Sequence, residues 1–281
     1  MKRRIAILCH EADPPGALAE YGIGGLAEVW KEQGHDVVQL FGPGRRVDAD
    51  LVFVHVDLSV VPDDYLAFAA TYPVAVNGRV KDIRKSTLRE HLLRPGDPWE
   101  GPVIVKSDRN YGGVPEARRG VGRLDGAGLA PAFPTPLAYR VYDHLREVPA
   151  EAFGCPDLVV QRFLPEVEDG LFHVRSYQFL GDRESCVRTA SDQPIVKNET
   201  AVARFPAKVH PDVVALRERL GFDYGKFDYV EREGRAIVLD LNKTVGAGRA
   251  PGPLLLAARR HRAEGLYAFF RQPGGRAGPR A

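Results

Sequence analysis

Acidic and amide side chains recur in residues 225–243 at a spacing that suits a metal ion. The segment consists of two extended stretches around a Glu-Arg-Glu-Gly turn, which predicts a β-hairpin. Because side chains alternate between the two faces of a strand, this hairpin would bring Asp228 beside Asp240 and Asn242. Carboxylate and amide oxygens are hard ligands of the kind that Mg²⁺ takes in proteins. The pattern therefore predicts a Mg²⁺ site, with a solvated polar strand face as the alternative.

The other side chains of the hairpin predict how it packs. Lys226 and Val230 share the face of Asp228, whereas Phe227 and Tyr229 take the opposite face. Three aliphatic residues of the second stretch are expected to point into apolar packing: Ile237, Leu239 and Leu241.

A lysine at the end of a β-branched stretch precedes a glycine turn. Pro102-Val-Ile-Val-Lys106 predicts a strand, and Gly112 and Gly113 follow in a flexible loop. Lysine binds phosphate as a point charge, and glycine lets backbone amides approach phosphate oxygens. The pattern predicts phosphate binding by Lys106 and the loop. An ordinary strand and turn without a ligand is the alternative.

Two further stretches carry groups that suit a nucleotide. Residues 158–166 consist of an apolar strand and a break, whose backbone could face a planar base, while Glu166 could bond a ribose hydroxyl. Arg175 shares a strand face with His173 and Tyr177 and is a candidate for stabilising a transferring phosphoryl group. A buried strand that leaves the core and a structural ion pair are the respective alternatives.

The composition limits the class of protein. Of the 281 residues, 44% are hydrophobic and 27% charged, which is typical of soluble globular proteins, and the net charge of +2 gives no basic field for nucleic acid. No apolar run reaches the roughly 18 residues that span a membrane. The first ten residues are typical of a strand rather than a signal peptide, and the three cysteines have neither metal-site nor disulfide spacing. We therefore predict a cytoplasmic protein with no membrane or nucleic-acid partner.

Strand and helix patterns alternate in the first part of the chain, which predicts a parallel sheet with crossover helices. Expected strands are residues 4–9, 36–41, 50–56, 102–106, 157–163, 173–180 and 184–189, followed by the hairpin. Expected helices are residues 21–34, 62–70, 82–93, 211–220 and 254–270. Residues 118–136 are expected to form a loop, and residues 272–281 a disordered tail.

The order of these features resembles that of the ATP-grasp enzymes. Residues 222–248 are similar to the carboxyl-terminal signature of D-alanine–D-alanine ligases and ribosomal S6-type glutamate ligases, in which an Asp precedes an acidic-x-Asn pair. The lysine strand 102–106 and the stretch around Lys85, in Asp82-Ile-Arg-Lys-Ser-Thr-Leu, are similar to the two nucleotide-lysine positions of these families. The resemblance covers residues 82–248.

The resemblance implies an α/β ATP-grasp fold and a role for each candidate residue. A Rossmann-like pre-ATP-grasp subdomain would cover residues 1–93, a small central subdomain 94–164 and a carboxyl-terminal subdomain 165–271. The implied ATP contacts are Lys85, Lys106, Gly112, Gly113, Gln161, Phe163, Leu164 and Glu166. The implied Mg²⁺ ligands are Asp228, Asp240 and Asn242, and the implied catalytic residues are Arg175 and Lys226. The implied reaction is ADP-forming ligation of a small-molecule carboxylate to an amine through an acyl phosphate.

The chain also departs from the family pattern. Asp240 stands where a longer Glu is usual, and Asn242 is followed by Lys-Thr-Val-Gly instead of Ser/Thr-Pro-Gly. The central subdomain looks abbreviated between Lys85 and Lys106, and Asn-Tyr-Gly-Gly-Val-Pro-Glu replaces the usual Ser/Gly-rich phosphate loop at residues 110–116. The substrates, the number of Mg²⁺ ions and the choice between monomer and homodimer stay open.

Two other functions compete with the ligase. The stretch from Gly22-Ile-Gly-Gly25 to residue 38 resembles the amino-terminal domain of some nucleotide-sugar glycosyltransferases, although it leaves the hairpin unexplained. A non-catalytic module that binds ATP without group transfer is the other alternative.

Overall fold

The computed structural model describes residues 1–121, 139–248 and 253–271. The strands are β1 (Arg4–Cys9), β2 (Asp36–Phe41), β3 (Leu51–Val54), β4 (Ala75–Val76), β5 (Val103–Ser107), β6 (Arg140–Tyr142), β7 (Leu158–Arg162), β8 (Glu166–Glu168), β9 (Leu171–Leu180), β10 (Arg183–Ser191), β11 (Ala201–Ala207), β12 (Tyr224–Arg232) and β13 (Arg235–Asn242). The α-helices are α1 (Gly22–Glu32), α2 (Asp63–Ala69), α3 (Val114–Arg118), α4 (Ala150–Gly154), α5 (Pro211–Leu220) and α6 (Pro253–Ala263). The loop expected over residues 118–136 lies mostly outside the described residues, and the tail expected over residues 272–281 lies wholly outside them.

Four parallel strands form the first sheet, in the order β2-β1-β3-β4. Strand β3 is buried along its whole length and β1 along all but its first residue, as an apolar run in a parallel sheet should be. Helix α1 buries Ile23, Leu26 and Trp30, which lie on one helical face. Gly34, at φ +86°, follows the helix end in a left-handed conformation that favours glycine. The strands and helix expected in this region are confirmed.

A second sheet has six antiparallel strands, in the order β11-β10-β9-β12-β13, with β8 paired to β9. The predicted hairpin is β12 and β13, and its register pairs Asp228 with Asp240 and Lys226 with Asn242. Its apolar face packs in a cluster of buried aromatic and aliphatic side chains that includes Tyr177, Phe179, Phe222, Phe227, Tyr229 and Leu241. A third sheet, in the order β6-β5-β7, contains the lysine strand β5.

The second hairpin strand contains a β-bulge that the sequence pattern did not predict. Asp228 pairs with Asp240 whereas Tyr229 pairs with Val238, so Leu239 is the extra residue. The bulge shifts the alternation of side chains, and Val238 packs against the core in place of Ile237. Our expectation that Ile237 and Leu239 point into the core together with Leu241 is therefore wrong, because both line a cavity on the other face.

Our prediction of a helix over residues 82–93 is also wrong. The segment forms two short 3₁₀ turns, Lys85–Thr87 and Arg89–His91. Its backbone donors bond to a neighbouring loop: the Lys85 N–H donates to the Asp108 carbonyl at 2.9 Å, and the Ser86 N–H donates to Asp108 Oδ1 at 2.7 Å. Because these N–H groups have partners outside the segment, they do not form helical hydrogen bonds.

The last expected helix, residues 254–270, is α6 followed by a 3₁₀ stretch, Glu264–Phe270. The indole N–H of Trp30 donates to the Ala263 carbonyl at 2.9 Å, which fastens this end of the chain to α1. Within the described residues, no helix is long and apolar enough to cross a membrane.

Asn77 joins the first sheet to the hairpin. Its amide N–H group donates to the Tyr224 carbonyl at 2.8 Å, and its amide oxygen accepts the N–H groups of Asp223 and Tyr224 at 2.9 and 3.0 Å. Asn77 is buried and has φ +59°, a conformation that asparagine tolerates better than most residues. The start of β12 is therefore held by one side chain of the first sheet.

We expect Asn77→Ala to lower the free energy of unfolding by about 2 kcal/mol, because it leaves buried backbone groups without partners and places alanine at positive φ. Urea denaturation followed by circular dichroism measures this change. Gln193→Ala, at an exposed position, is the matched control and should shift the midpoint little. Equal stability of both variants would contradict a stabilising role for the hydrogen bonds of the Asn77 side chain.

Candidate nucleotide and metal site

A cavity of about 510 Å³ is lined by residues of the six-stranded and three-stranded sheets. Most of the site residues predicted from the sequence lie around it: Lys85, Lys106, Gln161, Phe163, Leu164, Lys226, Asp228 and Asp240. A wider groove, of about 1230 Å³, runs past Arg79, Arg217 and Phe270 and contains none of the predicted residues. The chemistry therefore points to the smaller cavity.

Two lysines from separate parts of the chain meet at one end of this cavity. Lys106 Nζ donates to the Leu239 carbonyl, in the bulge, at 3.0 Å. Lys85 Nζ donates to the Arg109 carbonyl at 3.1 Å and lies 3.4 Å from Asp240 Oδ1. Burial, together with the nearby charge of Lys85, lowers the pKa of Lys106 to about 8. The two ammonium groups form a buried cationic region beside the hairpin carboxylates.

A third lysine pairs with the other carboxylate. Lys226 Nζ lies 2.7 Å from Asp228 Oδ2, and the hydroxyl of Ser176 donates to Asp228 Oδ1 at 2.6 Å. Burial alone would lower the pKa of Lys226, but the Asp228 carboxylate outweighs it and raises that pKa. Lys226 therefore stays an ammonium ion inside the cavity.

The predicted metal ligands are adjacent. The amide N–H group of Asn242 donates to Asp240 Oδ2 at 3.2 Å, while Asp240 Oδ1 is buried and has no hydrogen-bond partner among the described residues. A buried carboxylate oxygen without a donor is suited to a cation. The described residues contain no group of three His, Cys, Asp or Glu side chains that could hold a metal, so a site here would use two carboxylates, an amide oxygen and ligand oxygens. This donor set fits Mg²⁺.

The two glycines of the glycine turn do not line the cavity. Tyr111, Gly112 and Gly113 have φ values of 45°, 66° and 78°, so three successive residues are left-handed. The N–H of Asn110 donates to Ser59 Oγ at 2.9 Å, which fixes the turn against the first sheet. Tyr111, which is 60% exposed, is the member of the turn that lines the cavity.

Another part of the cavity wall is a hinge of mixed polarity. Gln161, Phe163 and Leu164 line it, as the resemblance implies for the residues that hold a base. The N–H of Phe163 donates to the Pro102 carbonyl at 2.9 Å, and Leu92 forms a bridge to Gln161. The apolar side chains of Ile104, Val230, Ile237 and Leu239 add further walls.

Glu166 and Arg175 do not line the cavity, although their neighbours Pro165 and Val174 do. They bond to each other: Arg175 Nη2 lies 3.0 Å from Glu166 Oε1 and Arg175 Nε donates to Glu166 Oε2 at 3.2 Å. Arg188 Nε and the N–H of Glu231 also donate to this carboxylate, at 2.8 Å each. Although burial would raise the pKa of Glu166, these donors lower it. The two side chains therefore belong to one ion-pair network beside the cavity.

Several cavity residues escaped the sequence analysis. Ser176 and Val174 line the cavity, whereas Tyr177 lies in the aromatic core. His173, on the strand face of Arg175 and Tyr177, also lines the cavity. Cavity residues outside the candidate set also include His91, Tyr111, Tyr139, Thr189 and the loop 194–199.

A cavity between an antiparallel sheet that carries carboxylates and a smaller sheet that carries a lysine, preceded by a parallel sheet, is the arrangement of the ATP-grasp fold. Solved structures support this assignment over nearly the whole chain. The VanG D-Ala:D-Ser ligase from Enterococcus faecalis aligns with a TM-score of 0.54 at 10% identity, covering 96% of this chain and 100% of that one. The D-alanine–D-alanine ligase from Bacillus anthracis complexed with ATP aligns with a TM-score of 0.51 at 10% identity, covering 95% and 96%. The chain therefore has the ATP-grasp fold.

The sequence itself gives no such match. No family model matches this chain, and no curated protein does. The roles of the site residues must therefore be inferred from the geometry of this molecule.

Proposed function

We propose that this chain is an ATP- and Mg²⁺-dependent ligase that activates a carboxylate as an acyl phosphate for attack by an amine. One observation carries the proposal: Lys85, Lys106 and Lys226 lie with Asp228 and Asp240 around one cavity, which the hinge residues 161–164 also line. This combination matches a nucleotide, whose phosphates are anionic and whose base is planar. The Bacillus anthracis ligase of similar fold was solved in complex with ATP, which supports the choice of nucleotide.

The proposed roles follow the placement of the residues. Lys85 and Lys106 hold the phosphates, and Lys226 stabilises the transferring phosphoryl group. Asp228, Asp240 and Asn242 would hold Mg²⁺, which supplies charge stabilisation to phosphate oxygens when bound. Gln161, Phe163 and Leu164 contact the base, while Gly112 and Gly113 shape the turn that carries Tyr111. We assign no catalytic role to Arg175 and no ribose contact to Glu166, because the two side chains form an ion pair with each other.

The proposed reaction has two steps. An oxygen of the substrate carboxylate attacks the γ-phosphorus of ATP, and ADP leaves. The amine then attacks the acyl carbon of the acyl phosphate, loses a proton and expels inorganic phosphate, which leaves an amide. Such phosphoryl transfer needs positioned charge more than a protein nucleophile, which agrees with a cavity built from lysines and aspartates.

The organisation into subdomains is part of the proposal. The four-stranded parallel sheet falls within residues 1–93 and supports a Rossmann-like subdomain there. The three-stranded sheet falls within residues 94–164 and the six-stranded sheet within residues 165–271. The cytoplasmic location and the homodimer stay predictions.

Calorimetry and chemical trapping test the proposal together. We expect ATP with Mg²⁺ to bind more tightly than GTP or a UDP-sugar, and hydroxylamine to yield a hydroxamate plus ADP when the correct carboxylate is present. ATP binding with no ADP formed across a carboxylate panel would favour the non-catalytic module. Binding of a UDP-sugar in place of ATP would favour the glycosyltransferase, which the fold does not favour.

We expect Ser176→Ala to weaken the Mg²⁺-dependent binding of ATP by about tenfold, because the hydroxyl that orients Asp228 is lost. Calorimetry at several Mg²⁺ concentrations measures this change. Ser185→Ala is the matched control, since the hydroxyl of Ser185 bonds to Arg262 and does not line the cavity. An unchanged Mg²⁺ dependence in Ser176→Ala would contradict a metal site at Asp228.

A further inference from the structure

Gln161, the first residue of the hinge, has an unpaired side chain in the cavity wall. It is only 6% exposed, yet neither its amide nitrogen nor its amide oxygen has a hydrogen-bond partner among the described residues. Neither atom is closed off from solvent, so the amide group is open to the cavity that Gln161 lines. Buried polar groups are nearly always bonded, which indicates that this amide meets a polar ligand.

The three-stranded sheet fixes the direction of this side chain. Gln161 pairs with Ile104, and Val159 pairs with Lys106, two residues further along each strand. Side chains two residues apart share a strand face, so Gln161, Ile104 and Lys106 lie on one face of the sheet. All three line the cavity. The amide of Gln161 therefore faces the same space as Lys106, which we propose to hold phosphate.

A second unpaired group, the imidazole of His91, lies beside the hinge. The next residue, Leu92, forms a bridge to Gln161, and the N–H of Leu93 donates to the Val160 carbonyl at 2.9 Å. These contacts place His91 along the hinge strand. His91 lines the cavity and has no hydrogen bond at either ring nitrogen within the described part of the chain. Its Nδ1 is buried, so Nε2 is the nitrogen that a ligand can reach.

Two other donors of the hinge are already occupied. The N–H of Phe163 donates to the Pro102 carbonyl at 2.9 Å. The guanidinium group of Arg162 lies 4.8 Å from the centre of the Trp99 ring, which is not part of the cavity wall. Among the described side chains at the hinge, the unpaired amide and the unpaired imidazole are therefore the groups that remain to bond a base.

Both remaining groups can act as donor or acceptor. An amide without a partner presents its oxygen or, after a half-turn, its NH₂ group. Burial lowers the pKa of His91, and although Glu90 opposes this shift, Arg162 acts in the same direction. The ring is therefore neutral at pH 7, with one donor and one acceptor nitrogen. A purine has a donor at position 6 when the substituent is an amino group and an acceptor when it is an oxygen, so the hinge can match either.

We propose that this cavity binds purine nucleoside triphosphates that carry either an amino group or an oxygen at position 6, with the Gln161 amide turning to suit each. His91 bonds the base through Nε2 in both cases. This inference rests on the proposed function and widens its nucleotide from ATP to a class of purine nucleotides. The 2-amino group of guanine is an additional donor that this match does not include, so hypoxanthine is the clean counterpart of adenine.

Calorimetry on the full chain with Mg²⁺ tests the inference by comparing ATP with ITP, the hypoxanthine nucleotide, and with CTP. We expect the wild type to bind ATP and ITP within about tenfold of each other, the scale of one net hydrogen bond. CTP, which has a smaller base, should bind at least roughly tenfold more weakly than either. A preference for ATP over ITP of more than tenfold would overturn the inference, and so would binding of CTP within tenfold of both purine nucleotides.

Gln161→Glu turns the side chain into an acceptor only, and it should raise the ratio of ATP affinity to ITP affinity at least about tenfold. Gln33→Glu, at an exposed position that follows α1 and does not line the cavity, is the matched control and should keep the wild-type ratio. A rise of less than tenfold in Gln161→Glu would overturn the role of the amide.

His91→Phe removes both ring nitrogens and should weaken ATP and ITP alike, by roughly threefold to tenfold. Unchanged affinity for both nucleotides would overturn the role of His91. If the wild type binds ATP but not ITP, this inference fails and the proposed nucleotide site stands. If it binds no purine nucleotide, the proposed function fails as well.

Discussion

Asp240→Asn should lower ATP turnover by about 10²- to 10³-fold, the scale of losing one preorganised electrostatic group. The carboxylate of Asp240 has one buried oxygen without a hydrogen-bond donor, and Lys85 lies 3.4 Å from it. Asparagine has nearly the same shape but cannot provide the charge that a divalent ion requires. The ADP and hydroxamate formed with hydroxylamine, measured across a Mg²⁺ titration, report the loss.

Asp63→Asn is the matched control for this prediction, because Asp63 is 80% exposed and pairs only with a surface lysine, Lys81. It should keep wild-type turnover. If Asp240→Asn turned over ATP within threefold of the wild type, the assignment of the hairpin as the metal site would be wrong.

Lys106→Met should weaken ATP binding by about 10²-fold, because a buried ammonium that faces phosphate is replaced by an apolar side chain of similar length. The binding should also depend on pH. Burial and Lys85 lower the pKa of Lys106 from 10.5 to about 8, and the phosphates need the protonated form. Affinity should therefore be complete below about pH 7 and fall roughly tenfold between pH 7.5 and pH 9.

Calorimetry from pH 6.5 to 9.5 measures both effects. The Lys106→Met profile should be flat where the wild-type profile falls, whereas Lys81→Met, at a half-exposed surface position, should retain the wild-type profile. A wild-type affinity that does not change between pH 7.5 and pH 9 would contradict the proposed role of Lys106.

The sequence predicts the strands well where burial alone determines them. Strands β1 and β2 and helix α5 have the expected bounds, because apolar runs and a proline at a helix start are local signals. That the hairpin brings Asp228 close to Asp240 was also predictable, although the register set at the turn would pair Asp228 with Leu239. The bulge at Leu239 was not, because a bulge depends on contacts with the neighbouring sheet, here the hydrogen bond from Lys106.

The sequence predicted which lysines and carboxylates lie around the cavity, but it predicted fewer of the residues that surround them. Arg175 was chosen by residue type, but its side chain is paired with Glu166 and Glu231, and the sequence pattern does not show these contacts. The turns around Lys85 depend on Asp108, more than twenty positions later, and no local pattern contains that contact. The loop 194–199 lines the cavity through tertiary folding alone.

The pairing of lysines with aspartates has a thermodynamic consequence. Each carboxylate of the hairpin has a lysine for its counter-ion, and these lysines are the groups expected to meet phosphate. A divalent cation bound alone to the carboxylates would leave the ammonium groups without counter-ions. A nucleotide bound alone to the ammonium groups would leave the carboxylates without counter-ions. When both bind, the cation neutralises the carboxylates and the phosphates neutralise the ammonium groups. We therefore expect the metal and the nucleotide to bind to this cavity with positive, reciprocal coupling.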